Sequence, residues 1–252
     1  MDKNYLLGHW YAYIYDQHEN DLAEVQRILS CLGEGSKNIL EVACGTGRIS
    51  IPLAKAGHSV TGFDISKYEI ERLNQKARGL TNINCYTADA LVEDWGSGYD
   101  AVILAGTVLH NIVTNGDYKQ AQELLIKKAA SCVKLGGYMF INFDCWGNEK
   151  FISNNKGTEW IIFEGTDDIG TYGKFIGISG KSDIETRVDR SVRRYEITPN
   201  GRERFSVERK LIKHFPSYEL VKSWLDKYGW EIEKQNPIKN TTFRAEIWAR
   251  KK

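Results

Sequence analysis

Residues 38–50 read NILEVACGTGRIS. An apolar run ends at Val42 and gives way to Ala43, Cys44, Gly45, Thr46 and Gly47; a helix-like pattern then resumes. Two glycines separated by one residue, directly after a strand, let the backbone turn sharply and let a ligand approach main-chain atoms. Strand, tight turn and helix therefore fall within thirteen residues, as at the start of a βαβ unit.

The pattern continues on both sides of this stretch. Upstream, Leu22, Val25, Ile28 and Leu29 recur at helical spacing between Asn20 and Leu32, and Gly33 with Gly35 ends that helix. Downstream, strands and helices alternate. Arg48 to Ala56 reads as a helix stopped by Gly57, HSVTGFDI as a strand, Lys67 to Ala77 as a helix, and INCYTAD and YDAVILAG as strands. Tyr118 to Val133 is a helix and YMFINFDC a fifth strand. Because parallel strands need crossovers, and these runs lack two-residue alternation, the order predicts an α/β, Rossmann-like doubly wound sheet that is mostly parallel.

Beyond Trp146 the character changes. KFIGISG, TRVDRSVRRYEI and ERFSVERKLIKHF alternate apolar and polar residues between turn signals at Gly180 and TPNGR, which predicts an antiparallel β cap inserted after strand five. SYELVKSWLDKYGW reads as a helix with Ser217 as N-cap; EIEKQ and RAEIWARK close the sheet, the last strand antiparallel. The expected organisation is one domain over 1–252. Its core covers about 20–146 and 216–252, with an N-terminal lid at 1–19 and the cap at about 147–215.

Hydrophobic content of 42%, charge of 27% and a net charge of +1 describe an ordinary globular protein with no overall pull toward nucleic acid or membrane. MDKNYLLGHW lacks the basic start and apolar core of a signal peptide, and no apolar run reaches bilayer length, so a cytoplasmic location is expected. Cys31, Cys44, Cys85, Cys132 and Cys145 form no C-x-x-C pair and read as reduced core residues. No His/Asp/Glu cluster has metal-ligand spacing, and nothing specifies an oligomeric state.

Ligands of open parallel sheets sit at the carboxyl ends of the strands, where the strand order reverses. Here Gly45-x-Gly47 is followed by Ser50 rather than a third glycine, and no Gly-Lys-Ser/Thr is present, so neither a dinucleotide nor a phosphate loop is spelled out. Arg48 is the only charge just after the turn, which suits a carboxylate or polar ligand. Asp64 ends the second strand, where a carboxylate accepts from ribose hydroxyls. Asp89 ends the third, where it can accept from an adenine amine. With Glu41 they make a lining of three acids that repels phosphates and accommodates a sulfonium ligand carrying an amino group.

EVACGTG, Asp64, Asp89 and the fourth strand DAVILAGTVLHNI together resemble the class I S-adenosylmethionine-dependent methyltransferases over about residues 36 to 145. The resemblance implies S-adenosyl-L-methionine as cofactor and S-adenosyl-L-homocysteine as product. It puts Glu41, Ala43, Gly45 and Gly47 on the methionyl side, Asp64 and Ile65 on ribose and adenine, Asp89 and Ala90 on adenine, and Ala105 beside the sulfonium. Where relatives commonly carry a further glycine, this chain has Ala43. The insert looks, more loosely, like that of glycine and sugar-amine N-methyltransferases. The start HWYAYIYDQ resembles segments that close over the methionine carboxylate, which makes Trp10, Tyr11 and Tyr13 candidate cofactor contacts. His110, after strand four, is a candidate base toward the methyl acceptor, and equally a histidine packed in its turn.

These readings imply methyl transfer to a small-molecule acceptor, nitrogen favoured over oxygen. An RNA or protein methyltransferase and a non-catalytic cofactor-binding protein stay open as alternatives. Arg187, Arg190, Arg193, Arg194, Arg202, Arg204, Arg209 and Lys210 read as a solvated face or as contacts to an acidic small molecule; interleaved acids weaken an RNA reading.

Overall fold

A computed structural model describes residues 2–145, 157–236 and 244–252. The chain divides into two compact units: one runs from Asp21 through the fifth strand and resumes at His214; the other joins the first twenty residues to the inserted stretch through Lys213.

In the first unit, β1 (Asn38–Val42), β2 (Ser59–Asp64), β3 (Ile83–Thr87), β4 (Tyr99–Leu104), β5 (Val133–Asp144), β11 (Trp230–Asn236) and β12 (Arg244–Lys251) form one sheet. Its order is β11-β12-β5-β4-β1-β2-β3. β1 to β5 are mutually parallel, and β12 runs antiparallel to both β5 and β11. The strand order reverses between β1 and β4, so the turn after β1 lies at the switch point.

Successive β1 residues feed opposite faces. Leu40 and Val42 pack with Val102, Leu104, Leu125 and Leu225, while Ile39 packs with Val25, Leu53, Val60 and Ile103. Burial on both faces explains the unbroken apolar runs. The flanking helices are α2 (Ala23–Leu32), α3 (Ser50–Lys55), α4 (Lys67–Lys76), α5 (Val108–Asn111), α6 (Tyr118–Cys132) and α7 (Tyr218–Lys227). Ser217 caps α7 by accepting from the Leu220 N–H, as its sequence indicates. α3 begins two residues later than the pattern suggests, because Gly47 and Arg48 still belong to the turn.

The second unit holds β6 (Glu159–Thr166), β7 (Tyr172–Ile178), β8 (Ser182–Asp183), β9 (Val188–Thr198) and β10 (Phe205–His214), with main-sheet order β10-β9-β7-β6. β6–β7 and β7–β9 pair antiparallel. α1 (Lys3–His18), which the expected lid did not specify as a helix, packs on this sheet through Leu7, Trp10 and Ile14. Trp10 lies over Gly173, where a Cβ would come within 2.4 Å of its ring, and its indole N–H donates to the Gly165 carbonyl at 2.9 Å.

Candidate functional site

The turn after β1 is held in a backbone conformation that small residues favour. Ala43 has φ +58°, Gly45 +52° and Gly47 +85°. The position where a further glycine is common thus adopts left-handed geometry here with an alanine, at a local cost of about 1–2 kcal/mol. Gly47 is doubly constrained, since a Cβ there would lie 2.8 Å from Leu73 Cγ and 3.0 Å from Ile51 Cδ1.

Asp64 joins this turn to the end of β2. Its Oδ2 accepts from the Gly45 N–H at 3.0 Å and its Oδ1 from the Ser66 N–H at 2.8 Å. Burial pushes its carboxyl pKa up, and these N–H groups oppose the shift by favouring the charged form. The Ile65 N–H also favours the charged form, and the two oxygens, with about four acceptor sites between them, keep capacity for a hydroxyl donor. Asp64 is not the helix cap. Ser66 takes that role, accepting from the Glu69 N–H in an S-x-x-E arrangement at the start of α4. The next residue, Ile65, is 60% exposed, a bare apolar surface beside the carboxylate.

Glu41 departs from the expected acid lining. It is buried with Ser50 Oγ donating to its Oε2, and desolvation pushes its pKa to about 8. Burial beneath the turn disfavours its charge, which leaves Asp64 and Asp89 as the other acids of the expected lining. Cys44 and Cys85 both adjoin Gly62; a Cβ there would meet their sulfurs at 3.0 and 2.9 Å.

Asp89 organises the turn after β3, its Oδ1 accepting from the Leu91 N–H at 2.9 Å. The same turn is clamped from α6, where Lys128 Nζ donates to the carbonyls of Ala90, Leu91 and Glu93. Trp95 Nε1 adds a bond to the Ala90 carbonyl. Lys128 was not legible as a site residue, since a lysine on an amphipathic helix reads as solvent-facing.

The segment after β4 is fixed by a chain of buried polar contacts. Thr107, at φ +58°, donates its N–H to Asn142 Oδ1 at 2.8 Å; Asn142 Nδ2 donates to Glu24 Oε1; Glu24 Oε2 pairs with Arg48 at 2.5 Å. Arg48 also donates to the Asp21 carbonyl. These bonds commit its guanidinium to tying the glycine turn to α2 and, through Glu24 and Asn142, to the backbone beyond Ala105, which is itself buried. Asn142 and Glu24 were missed because one sits inside an apolar strand and the other on a helix face. His110 is buried, its ring 4.9 Å from that of Phe215, with Nε2 4.0 Å from Asp144 Oδ2. Asp144 in turn accepts from Arg244 Nε at 2.9 Å.

The N-terminal aromatics fall in the second unit. Trp10 has no exposed surface. Tyr11 packs edge-on to Phe175 and Tyr195, and Tyr13 lies against the same cluster.

The cradle fits an adenosine-bearing ligand on its own geometry: positive-φ turn residues, a Cβ-intolerant Gly47, a held Asp64 carboxylate and the bare Ile65 face. Residues 39–137 match a family profile described as a methyltransferase domain. A glycine N-methyltransferase of Rattus norvegicus is 32% identical over 145 residues, covering 53% of this chain and 49% of the relative. A ubiquinone biosynthesis O-methyltransferase of Chelativorans sp. is 36% identical over 106 residues, covering 41% and 38%. The chain thus spans about half the length, or less, of these curated relatives. Among solved structures, an S-adenosylmethionine-bound amino pentose methyltransferase from Micromonospora echinaspora superposes with TM-score 0.67 at 16% identity, covering 95% of this chain and 96% of its own. That likeness shows a shared fold.

Proposed function

We propose that this protein, whose residues 39–137 match a family profile described as a methyltransferase domain, transfers a methyl group from S-adenosyl-L-methionine to a small-molecule acceptor, at nitrogen. One observation carries the proposal. At the switch point of the sheet, Asp64 is fixed by two backbone N–H groups with acceptor capacity to spare, beside an exposed Ile65.

Asp64 would accept from ribose hydroxyls, Ile65 and Ala90 would flank adenine, and the turn from Ala43 to Gly47 would face the methionyl part. When bound, the cofactor supplies an electrophilic methyl on a sulfonium. The chain's own task is then to align and to exclude water, which suffices for much of the acceleration of a displacement on so good an electrophile. The Arg48–Glu24–Asn142–Thr107 contacts serve this by locking the turn after β1 to the segment after β4. His110, with Nε2 4.0 Å from Asp144 Oδ2, is proposed as the base that takes a proton from an ammonium or hydroxyl acceptor. The nitrogen preference draws on the glycine N-methyltransferase likeness.

The test is twofold. S-adenosylhomocysteine should raise the melting temperature while NAD does not, because only a ligand bound to the folded state stabilises it. Incubation with S-adenosylmethionine and a panel of small amines and hydroxy compounds should release S-adenosylhomocysteine with an amine. Stabilisation by NAD, or no turnover across the panel, counts against the reading.

A further inference from the structure

Two adjacent arginines on β9 have opposite surroundings. Arg194 is surrounded by carboxylates, with Glu159 at 2.5 Å, Glu196 at 3.4 Å and Glu208 at 3.8 Å. Arg193, on the other face, forms no ion pair among the described residues, and Asp189 acts on it only at longer range. Its Nη1 is buried with no hydrogen-bond partner among the described residues. Its guanidinium instead stacks 5.5 Å from the Trp160 ring and 6.0 Å from that of Phe175. Two residues along, on the same face of β9, Ser191 is 7% exposed and its Oγ also lacks a partner.

Register explains how the cation comes to be covered. Trp160 on β6, Gly177 on β7 and Arg193 on β9 are successive cross-strand neighbours. A Cβ on Gly177 would lie 2.4 Å from the Trp160 ring and 3.0 Å from Arg193 Nη1, so the missing side chain is what lets the indole lie across the glycine and reach the guanidinium. Trp160 remains 44% exposed, a plate over the cation rather than part of a closed core. The charged groups near this face are Asp189, already accepting from Ser182 Oγ at 2.7 Å, and Arg209, stacked on Tyr195 at 5.6 Å.

A guanidinium cannot shed its charge when buried, and unmet donors are expensive. We propose that Arg193 and Ser191 form a binding site for a small carboxylic acid, whose apolar body stacks on Trp160 once that ring swings off Gly177. Two orphan donors on a guanidinium that only the more distant Asp189 offsets match a carboxylate's two oxygens and single charge; a phosphate would bring a further oxygen and more charge than this face neutralises. The site concerns binding alone and does not rest on the methyl-transfer reading.

The test titrates the full chain with sodium benzoate, phenylacetate and butyrate, followed by calorimetry and tryptophan fluorescence. At least one acid should bind saturably, with a fluorescence change that W160F abolishes. Arg193→Met should weaken binding at least tenfold and Ser191→Ala several-fold, while inorganic phosphate shows no saturable binding. Without ligand, Arg193→Met should keep or raise the melting temperature, an outcome a purely structural arginine would not give. Ser191→Ala, which removes one oxygen, carries the test if the arginine variant does not fold. Equal binding by wild type and both variants, equal binding of phosphate, or no binding across the series overturns the proposal. Stabilisation of the same preparations by S-adenosylhomocysteine reports on the cradle separately.

Discussion

Glu41 beneath the glycine turn and Arg193 on the antiparallel sheet are both charged residues withdrawn from water, and they resolve the same cost differently. Burial disfavours the charge of Glu41 and pushes its pKa to about 8, while the Ser50 hydroxyl, donating to it, opposes that shift. Burial instead lowers the pKa of Arg193, from a value so high that it stays charged; Asp189 offsets that charge only at longer range, and Nη1 has no hydrogen-bond partner among the described residues. A buried carboxyl is therefore weak evidence for a ligand, and an unpaired buried guanidinium is stronger. The same logic separates Glu41 from Asp64, whose backbone donors favour the ionised form.

The largest expected effects come from the glycines that shape the two units. Gly47→Ala combines φ +85° with a 2.8 Å clash on Leu73, and Gly173→Ala drives a Cβ into Trp10 at 2.4 Å. Each should cost about 2–4 kcal/mol by overpacking and strain, read as a fall in thermal or denaturant midpoint. A near-neutral result at either would mean that the contact relaxes freely. The Gly47 change should also impair cofactor binding.

Next is a pH effect that isolates Glu41. With a folded-state pKa of about 8 against an ordinary value of 4.5, folding takes up a proton between those limits, so the group's contribution is present at low pH and declines as pH rises through that window. The slope is at most about 1.4 kcal/mol per pH unit. Glu69, also raised to about 8 by burial and by Asp64, acts in the same direction. Glu41→Gln should flatten the stability profile between pH 5 and 8 and leave the Glu69 part; an unchanged slope would show that Glu41 is ionised in the fold.

Much of the first unit was legible because its physics is local. Parallel strands buried on both faces read as apolar runs, and the turn from Ala43 to Gly47 announces itself by composition, as does Asp64 by ending β2 and Asp89 by opening the turn after β3. What was missed depends on partners distant in sequence. Asn142 lies within FINFD and gains meaning only opposite Thr107 and Glu24, 118 residues away. α1 was read as a Tyr-rich segment because its aromatics surround it on several sides rather than forming one stripe. The Trp160–Gly177–Arg193 row follows from register across three strands, and β6 itself was not anticipated.

The smallest expected effect sharpens the account of the turn. Ala43→Gly should relieve left-handed strain while increasing the entropy of the unfolded chain, for a net gain of about 0–1 kcal/mol in a chemical denaturation curve. Clear destabilisation would mean that the alanine methyl makes a contact worth more than the strain.

The central claim is that Asp64 is the charged anchor of an adenosine cradle, and calorimetric titration with S-adenosylhomocysteine tests it most directly. Wild type should bind, and Asp64→Ala should lose about 1–3 kcal/mol, roughly a ten- to hundredfold weaker Kd, with the fold retained. Binding of equal strength in the two proteins would contradict the account.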